Sequence, residues 1–478
     1  MFNFFIMNIL KEYRIIPIEE TFDTIKLLCP KNVDMSLIEE IRFITGKEII
    51  PQFIAPDEFS QILQKKLSEE EIQIEDKSEE LYTSQDILFD DESAPAVSFV
   101  NSIIIKAVTL DASDIHFEPY ENKVQVRLRL DGVLQNYNII PVSLYESIVS
   151  RVKVLSNLDV AEKRMPQDGK IRVKVASKDI DIRVSVVPTT YGERVVLRLL
   201  PKTEKVLSLE ELGLIDEDLT KVKGLAKKPY GIILSTGPTG SGKTTTLYSI
   251  LMKIRSPNRN IITIEDPPEY QIEGVSQIQV NPKVGLTFAQ GLRAILRQDP
   301  DVIMIGEIRD SETAQIAVQS ALTGHLVLTT LHTNDAPSAV ARLADLGVEP
   351  FLLSSSLEGI IAQRLVRRIC QNCKVSYEPS QEELSELGIK NRYIFYKGTG
   401  CNECMNTGYK GRIGIFEVLE IDENLKKTII KTQDANLLRE EAKKRGFSVM
   451  FEDALKKVIQ GITTAEEVLM AIKAQENV

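Results

Sequence analysis

The stretch from Tyr230 to Ile254, YGIILSTGPTGSGKTTTLYSILMKI, sets a short apolar run, a glycine-rich turn and an amphipathic helical run one after another. Its centre satisfies G-x-x-x-x-G-K-[ST], and each residue type answers to a need of phosphate chemistry. Gly237, Gly240 and Gly242 let backbone N–H groups curl round phosphate oxygens, with Pro238, Thr239 and Ser241 completing the loop. Lys243 is placed to reach β and γ phosphates, Thr244 to offer its hydroxyl to Mg²⁺, and Thr245 to follow them in the first turn of a helix whose N-terminus favours anions. The bland alternative, a glycine loop that only joins strand to helix, is disfavoured by the apolar strand before the loop and the helix after it.

Hydrolysis of a phosphoanhydride also needs a carboxylate to orient water and a cation facing the γ-phosphate. The run VIMI ends in Gly306 and Glu307, which has the form of a Walker B strand with glycine where a metal-side aspartate would stand. Glu307 is therefore expected to serve both water activation and outer-shell contact with Mg²⁺. The run IITI ends in Glu265 and Asp266, with Glu269 one turn on, as a second acidic cluster beside the same pocket. Two of the three histidines bracket a single strand, His325 before LVLTTL and His332 after it. The ends of one strand cannot both touch one phosphate. His332, at the carboxyl end, is the candidate for sensing nucleotide, and His325 is expected to face a neighbouring domain or subunit.

Cys370-x-x-Cys373 and Cys401-x-x-Cys404, separated by 27 residues, present four thiols in two tight turns. Such a set suits one tetrahedral, structural Zn²⁺. Redox pairs or unpaired buried thiols are the alternatives. A zinc ribbon can also bind nucleic acid, but few basic and aromatic residues interleave near these cysteines.

The elements that must position these groups follow from periodicity. A length of 478 residues exceeds one hydrophobic core and implies about three or four domains. Residues 1–68 read as a small α/β domain with strand-like Ile15 to Ile18 and helical runs from Ser36 to Thr45 and Pro56 to Leu67. Residues 69–93 hold eleven acids against Lys77, which locates nearly all of the net charge of −11 in a solvated linker. The charge therefore says nothing against a folded anion-binding surface elsewhere. Residues 94–205 open with a helix to about Leu110 and continue in alternating strands with a second helix from Pro141 to Leu155, an α+β domain. Its strands carry Arg127, Arg129, Arg183, Arg194 and Arg198, with His116 on a strand facing polar neighbours. Residues 206–228 form a charged connector with a short helix. From 229 to 478, strands alternate with helices such as Phe288 to Leu296 and Glu312 to Leu322, which predicts a largely parallel, RecA-like α/β sheet with ligands at the carboxyl ends of its strands.

No run approaches the roughly 20 apolar residues of a membrane-spanning helix. MFNFFIMNIL has no basic segment before it and no cleavage site after it, and reads as a weak anchor, a buried strand, or residues ahead of a start at Met7. The cysteine usage suits a reducing compartment.

The order of GPTGSGKT, ITIEDPPE, LRQDPDVIMIGEIRD, TGHLVLTTLHTN and the four cysteines resembles the assembly ATPases of type II secretion and type IV pilus systems. SDIHFEP, RLRLDGVL, QDGKI, PTTYGERVVLRLL and GYKGRIGIFEVLEI extend the resemblance from about Ala94 to the C-terminus. It implies a RecA-like motor preceded by a PAS-like α+β domain, a zinc-binding insertion at about 365–410 and a C-terminal helical region. It places Glu265, Asp266 and Glu269 in the family's Asp box, Glu307 in its Walker B, and His325 and His332 in its His box. Arg183 and Arg198 match arginines delivered from the middle domain to the nucleotide. It further implies ATP, Mg²⁺ and Zn²⁺ as ligands, a homo-hexamer, and cytoplasmic placement at the inner membrane through protein partners.

By the same resemblance, IEEIRFITGKEIIP within residues 1–68 is similar to the domain that docks on an inner-membrane platform, a feature that retraction motors generally lack. A nucleic-acid translocase and a low-turnover nucleotide-bound scaffold are the rival classes, and no direct nucleic-acid partner is expected.

Overall fold

The structure, a computed structural model, describes residues 16–20, 24–31, 38, 42, 48–54, 59, 95–175, 178–201, 206–391 and 393–473. They divide into two compact units, Met1–Ile104 and Ile105–Val478. The acidic segment 69–93 and most of the two N-terminal helical runs expected from the sequence lie outside the described residues.

In the first unit, β1 (Ile16–Glu20) runs antiparallel to β2 (Thr24–Pro30), which pairs in parallel with β3 (Glu48–Ile54). Parallel neighbours need a crossover between them, and Ile38 and Arg42, in that interval, are helical. Ile25, Leu27, Cys29, Ile38, Ile49 and Phe59 are buried. Burial pushes the Cys29 thiol up to about 11, which keeps this fifth cysteine out of thiolate chemistry.

Helix α1 (Pro95–Thr109) leads into β4 (Asp114–Pro119), β5 (Val124–Leu130), β6 (Val133–Ile140), α2 (Val142–Leu155), β7 (Gln167–Val175), β8 (Lys178–Thr189) and β9 (Gly192–Pro201). The six strands form one antiparallel sheet in the order β6-β5-β4-β9-β8-β7. Strict alternation decides its faces. Ile115, Phe117, Val126, Leu128, Ile182, Val184, Val195 and Leu197 are buried on one side, while Asp114, His116, Glu118 and the arginines occupy the other. Helix α2 is tied to the sheet by a buried ion pair, Lys153 Nζ to Glu193 Oε1 at 2.6 Å. Lys153 Nζ also donates to the Glu162 carbonyl at 2.6 Å, so the charge is not left unpaired inside.

After α3 (Asp216–Leu225) comes a seven-stranded sheet built from β10 (Gly231–Thr236), β11 (Ile261–Glu265), β12 (Ser276–Gln279), β13 (Val302–Ile305), β14 (Leu326–Leu331), β15 (Leu357–Ile369) and β18 (Tyr409–Glu420), in the order β12-β11-β13-β14-β10-β15-β18. Every pairing is parallel except β15 with β18. The strands are short apolar runs because helices cover both faces: β10, β11, β13 and β14 are buried throughout. Helices α4 (Lys243–Ile254), α5 (Phe288–Ile295) and α6 (Ser311–Leu322) complete the crossovers nearest the site. The Asp310 carboxylate caps α6 by accepting from Thr313 N at 2.8 Å. Between β15 and β18, β16 (Lys374–Tyr377) and β17 (Phe395–Gly398) form a two-stranded ribbon that carries the cysteines at its base.

Candidate active site

Strand β10 lies between β14 and β15, and its carboxyl end opens into the loop Gly237–Gly242. Gly237, Gly240 and Gly242 have φ of 148°, 78° and 87°, all in the region that favours glycine. Two are also required by space: a Cβ at Gly237 would lie 2.3 Å from the Gln363 carbonyl oxygen, and one at Gly242 would lie 2.7 Å from Gln363 Nε2. Gly242 caps α4 without any side-chain hydrogen bond, so the first N–H groups of the helix are left for an anion. Lys243 is buried, and Nζ donates to the carbonyls of Gly237 at 2.9 Å and Pro238 at 3.0 Å. Burial pulls its pKa down while the Glu307 carboxylate opposes that shift. Thr244 is half-buried at the second position of α4, as a Mg²⁺ ligand must be. These features fit a nucleoside triphosphate with its metal.

Glu307 stands just past β13. Its Oε2 is 3.6 Å from His332 Nε2, and its other oxygen is held by Arg309. The histidine's pKa is lowered, chiefly by burial and then by the Lys243 charge, so the imidazole is neutral at pH 7. Lys243, Glu307, His332 and Arg309 thus form one electrostatic group. Thr330 Oγ1 donates to the Gly306 carbonyl at 2.6 Å, and Thr333 N donates to Thr236 Oγ1 at 3.0 Å. These bonds lock the ends of β13, β14 and β10 to one another. A Cβ at Gly306 would sit 3.3 Å from both Glu265 Cα and the Ile264 carbonyl oxygen, so the close approach of β11 leaves little room for an aspartate there.

The other candidates are distributed unevenly. Glu265 is buried, with Tyr248 Oη donating to one oxygen while Thr263 Oγ1 at 2.5 Å and Gln277 Nε2 at 3.1 Å donate to the other. The Glu269 backbone N–H donates to the same tyrosine oxygen at 3.3 Å, and Asp266 acts electrostatically on Arg309. His325 lies at the opposite end of β14, its Nδ1 2.8 Å from the Ser320 carbonyl oxygen. Arg309, Thr333, Tyr248 and Gln277 carry no motif of their own. Only the i, i+2 spacing of Glu307 and Arg309 in GEIRD hints that both point the same way.

Arg183 and Arg198 are direct cross-strand neighbours on β8 and β9, and Lys170 on β7 is opposite Arg183. With Asp168, Ser185 and Val196 they line a concavity of about 460 Å³. Like charges placed opposite each other repel, which favours an anion between them. Asp114, whose carboxyl is held below the usual range because the Ser113 hydroxyl and Arg198 outweigh its burial, accepts from Arg198 Nε at 3.0 Å. That contact orients the guanidinium through Nε and leaves its terminal nitrogens for a ligand. Among the described residues no hydrogen bond or ion pair joins either arginine to the P-loop.

The four thiols lie in the ribbon's base, with Sγ separations of 3.8 Å for Cys370–Cys401, 3.8 Å for Cys373–Cys404 and 3.7 Å for Cys401–Cys404. All four fall within 4.8 Å of one another. Disulfides need about 2.05 Å, whereas tetrahedral Zn–S bonds of about 2.3 Å put sulfurs about 3.8 Å apart. Backbone N–H groups of Cys401 and Gly408 donate to Cys404 Sγ at 3.2 and 3.3 Å. The donor set fits Zn²⁺. Elemental analysis of the purified chain is expected to return one zinc per chain, and Cys404→Ser should cut that content several-fold while loosening the ribbon. A fully reduced, metal-free wild-type protein would refute the assignment.

Fold and site together define a RecA-like P-loop ATPase. Its affiliation is narrower than that: the chain belongs to the Type II/IV secretion system protein family, which it matches over residues 90–470, and residues 1–72 match the MshEN domain. It is 51% identical over 383 residues to the type IV pilus assembly ATPase PilB of Thermus thermophilus, covering 79% of this chain and 43% of that longer protein. Identity to the type II secretion system protein E of Dickeya dadantii is 44% over 471 residues, 96% of this chain and 94% of the relative. Among solved structures, the pilus retraction motor PilT with bound ADP is 29% identical at a TM-score of 0.53, covering 79% of this chain and 98% of that one. The Legionella pneumophila ATPase DotB, 22% identical with a TM-score of 0.59 over 81% of this chain and 98% of its own, shares the fold.

Proposed function

We propose that this chain hydrolyses ATP to drive assembly of a pilus or pseudopilus at an inner-membrane platform. What carries the reading is the meeting of Lys243, Glu307 and His332 at the P-loop, in a chain that aligns over 96% of its length with a type II secretion protein E. In this reading the phosphates lie along Gly237–Thr245 and Thr244 holds Mg²⁺, which neutralises phosphate charge when bound. Glu307 orients the attacking water, and neutral His332 steadies that carboxylate and senses the γ-phosphate. Glu265 and Glu269, gathered by Tyr248, keep the second acidic cluster in place behind them. Arg183 and Arg198 close the site from the middle domain, residues 94–205, and the cysteine ribbon holds structural Zn²⁺.

The chain works as a homo-hexamer on the cytoplasmic side of the inner membrane, attached through residues 1–68, a role that the MshEN match supports. The platform's cytoplasmic domain is the test partner. It is expected to raise ATP turnover of the full chain several-fold, and deletion of residues 1–68 should remove the stimulation. Stimulation by DNA and not by the platform would overturn the proposal in favour of a nucleic-acid translocase.

A further inference from the structure

Gln363 is a buried polar residue for which the chemistry above gives no use. It follows Ala362, the partner of Thr236 in the β10–β15 ladder, so it stands level with the start of the P-loop. Its carbonyl oxygen and its Nε2 are the atoms that crowd Gly237 and Gly242, so it underlies both ends of the loop. Side-chain Oε1 accepts from Thr246 Oγ1 at 2.5 Å, in the first turn of α4. The residue is 1% exposed, and Nε2 has no hydrogen-bond partner among the described residues. Ser241 Oγ, inside the loop, is a second buried polar atom in the same condition.

Buried donors are nearly always paired, and an unpaired one is destabilising. Methionine would fill the same space without that penalty. An amide here therefore serves some other state of the loop. In this structure Lys243 Nζ is held by the carbonyls of Gly237 and Pro238. To reach a phosphate it must leave them, and the loop must redistribute its hydrogen bonds as it does so.

We propose that Gln363 is a positioning residue for nucleotide binding: Thr246 holds its carbonyl, and its N–H bonds a backbone carbonyl of the P-loop when the loop closes on phosphate. The inference rests on the P-loop ATPase reading and adds to it a strand far away in sequence that supports the closed loop from beneath.

The test uses the full chain, a non-hydrolysable ATP analogue in titration calorimetry, and the melting temperature without nucleotide. Gln363→Met and Thr246→Val are each expected to weaken the analogue about three- to tenfold, the scale of one neutral hydrogen bond. The double variant should bind no worse than the weaker single one, because the pair acts as a unit. Its nucleotide-free melting temperature should equal or exceed that of the wild type, since both partners have become apolar at similar volume. Thr246→Ser, which keeps the hydroxyl, should bind as the wild type does.

Unchanged affinity in Gln363→Met, additive losses in the double variant, or losses that track a fallen melting temperature would each overturn the proposal. Lys243→Ala is run alongside. If it binds the analogue as well as the wild type, the P-loop reading itself fails, an outcome distinct from failure of the Gln363 assignment.

Discussion

Glu307→Gln is expected to retain ATP while losing hydrolysis by about 10²–10⁴-fold, the range for removal of a positioned general base. Lys243→Ala should lose both. The contrast follows from placement. Lys243 ends the P-loop, with Nζ on the carbonyls of Gly237 and Pro238, whereas Glu307 stands past β13 against His332 and Arg309. A glutamine keeps the shape and can still meet Arg309 but cannot take a proton from water. Binding of a fluorescent ATP analogue and phosphate release, measured on both variants, separate the two roles. Wild-type turnover in Glu307→Gln would remove this residue from the chemistry.

Arg183→Ala and Arg198→Ala should each lower turnover on the order of a hundredfold or more, by analogy with other arginines that meet a γ-phosphate. Their positions directly opposite each other on β8 and β9 make them a fork, and arginine's fixed planar cation suits that task better than lysine. The hypothesis is that they complete the site of their own chain when the middle domain folds over the P-loop. Mixing Arg183→Ala chains with Lys243→Ala chains discriminates the geometries. A same-chain site leaves every mixed oligomer inactive. A site shared between chains regenerates intact ones, and substantial recovery of ATPase activity would sink the same-chain assignment.

What the sequence displays well is whatever is local. The P-loop, the VIMI strand ending at Glu307 and the two Cys-x-x-Cys turns are contiguous words, and the helix expected from Phe288 to Leu296 appears as Phe288–Ile295. What it hides is sheet order. Gln363 stands beneath the P-loop only because β15 is the parallel neighbour of β10, more than a hundred residues away, and AQRLVRR carries no spacing that announces it. The glycine before Glu307 looks like a departure from pattern until β11 is placed beside it. Glu265 looks catalytic in sequence, yet Tyr248, Thr263 and Gln277, from a helix and two strands, occupy its oxygens. The arginine fork was approachable because a hairpin turn joins its strands. Its relation to the P-loop was not, since that depends on how whole domains meet.

At the hairpin tip between β5 and β6, Asp131 Oδ2 accepts from Gly411 N at 2.8 Å. Among the described residues this is the one side-chain hydrogen bond between residues 105–201 and 206–473, and no strand of the middle sheet packs extensively against a motor strand. A hydrogen bond to a carboxylate contributes about 1.5–3 kcal/mol, only a few times thermal energy. That bond alone is weak enough to be exchanged when residues 94–205 close over the P-loop in the cycle proposed above. In that cycle nucleotide acts as a latch rather than a compressed spring, holding the orientation in which Arg183 and Arg198 face the phosphates.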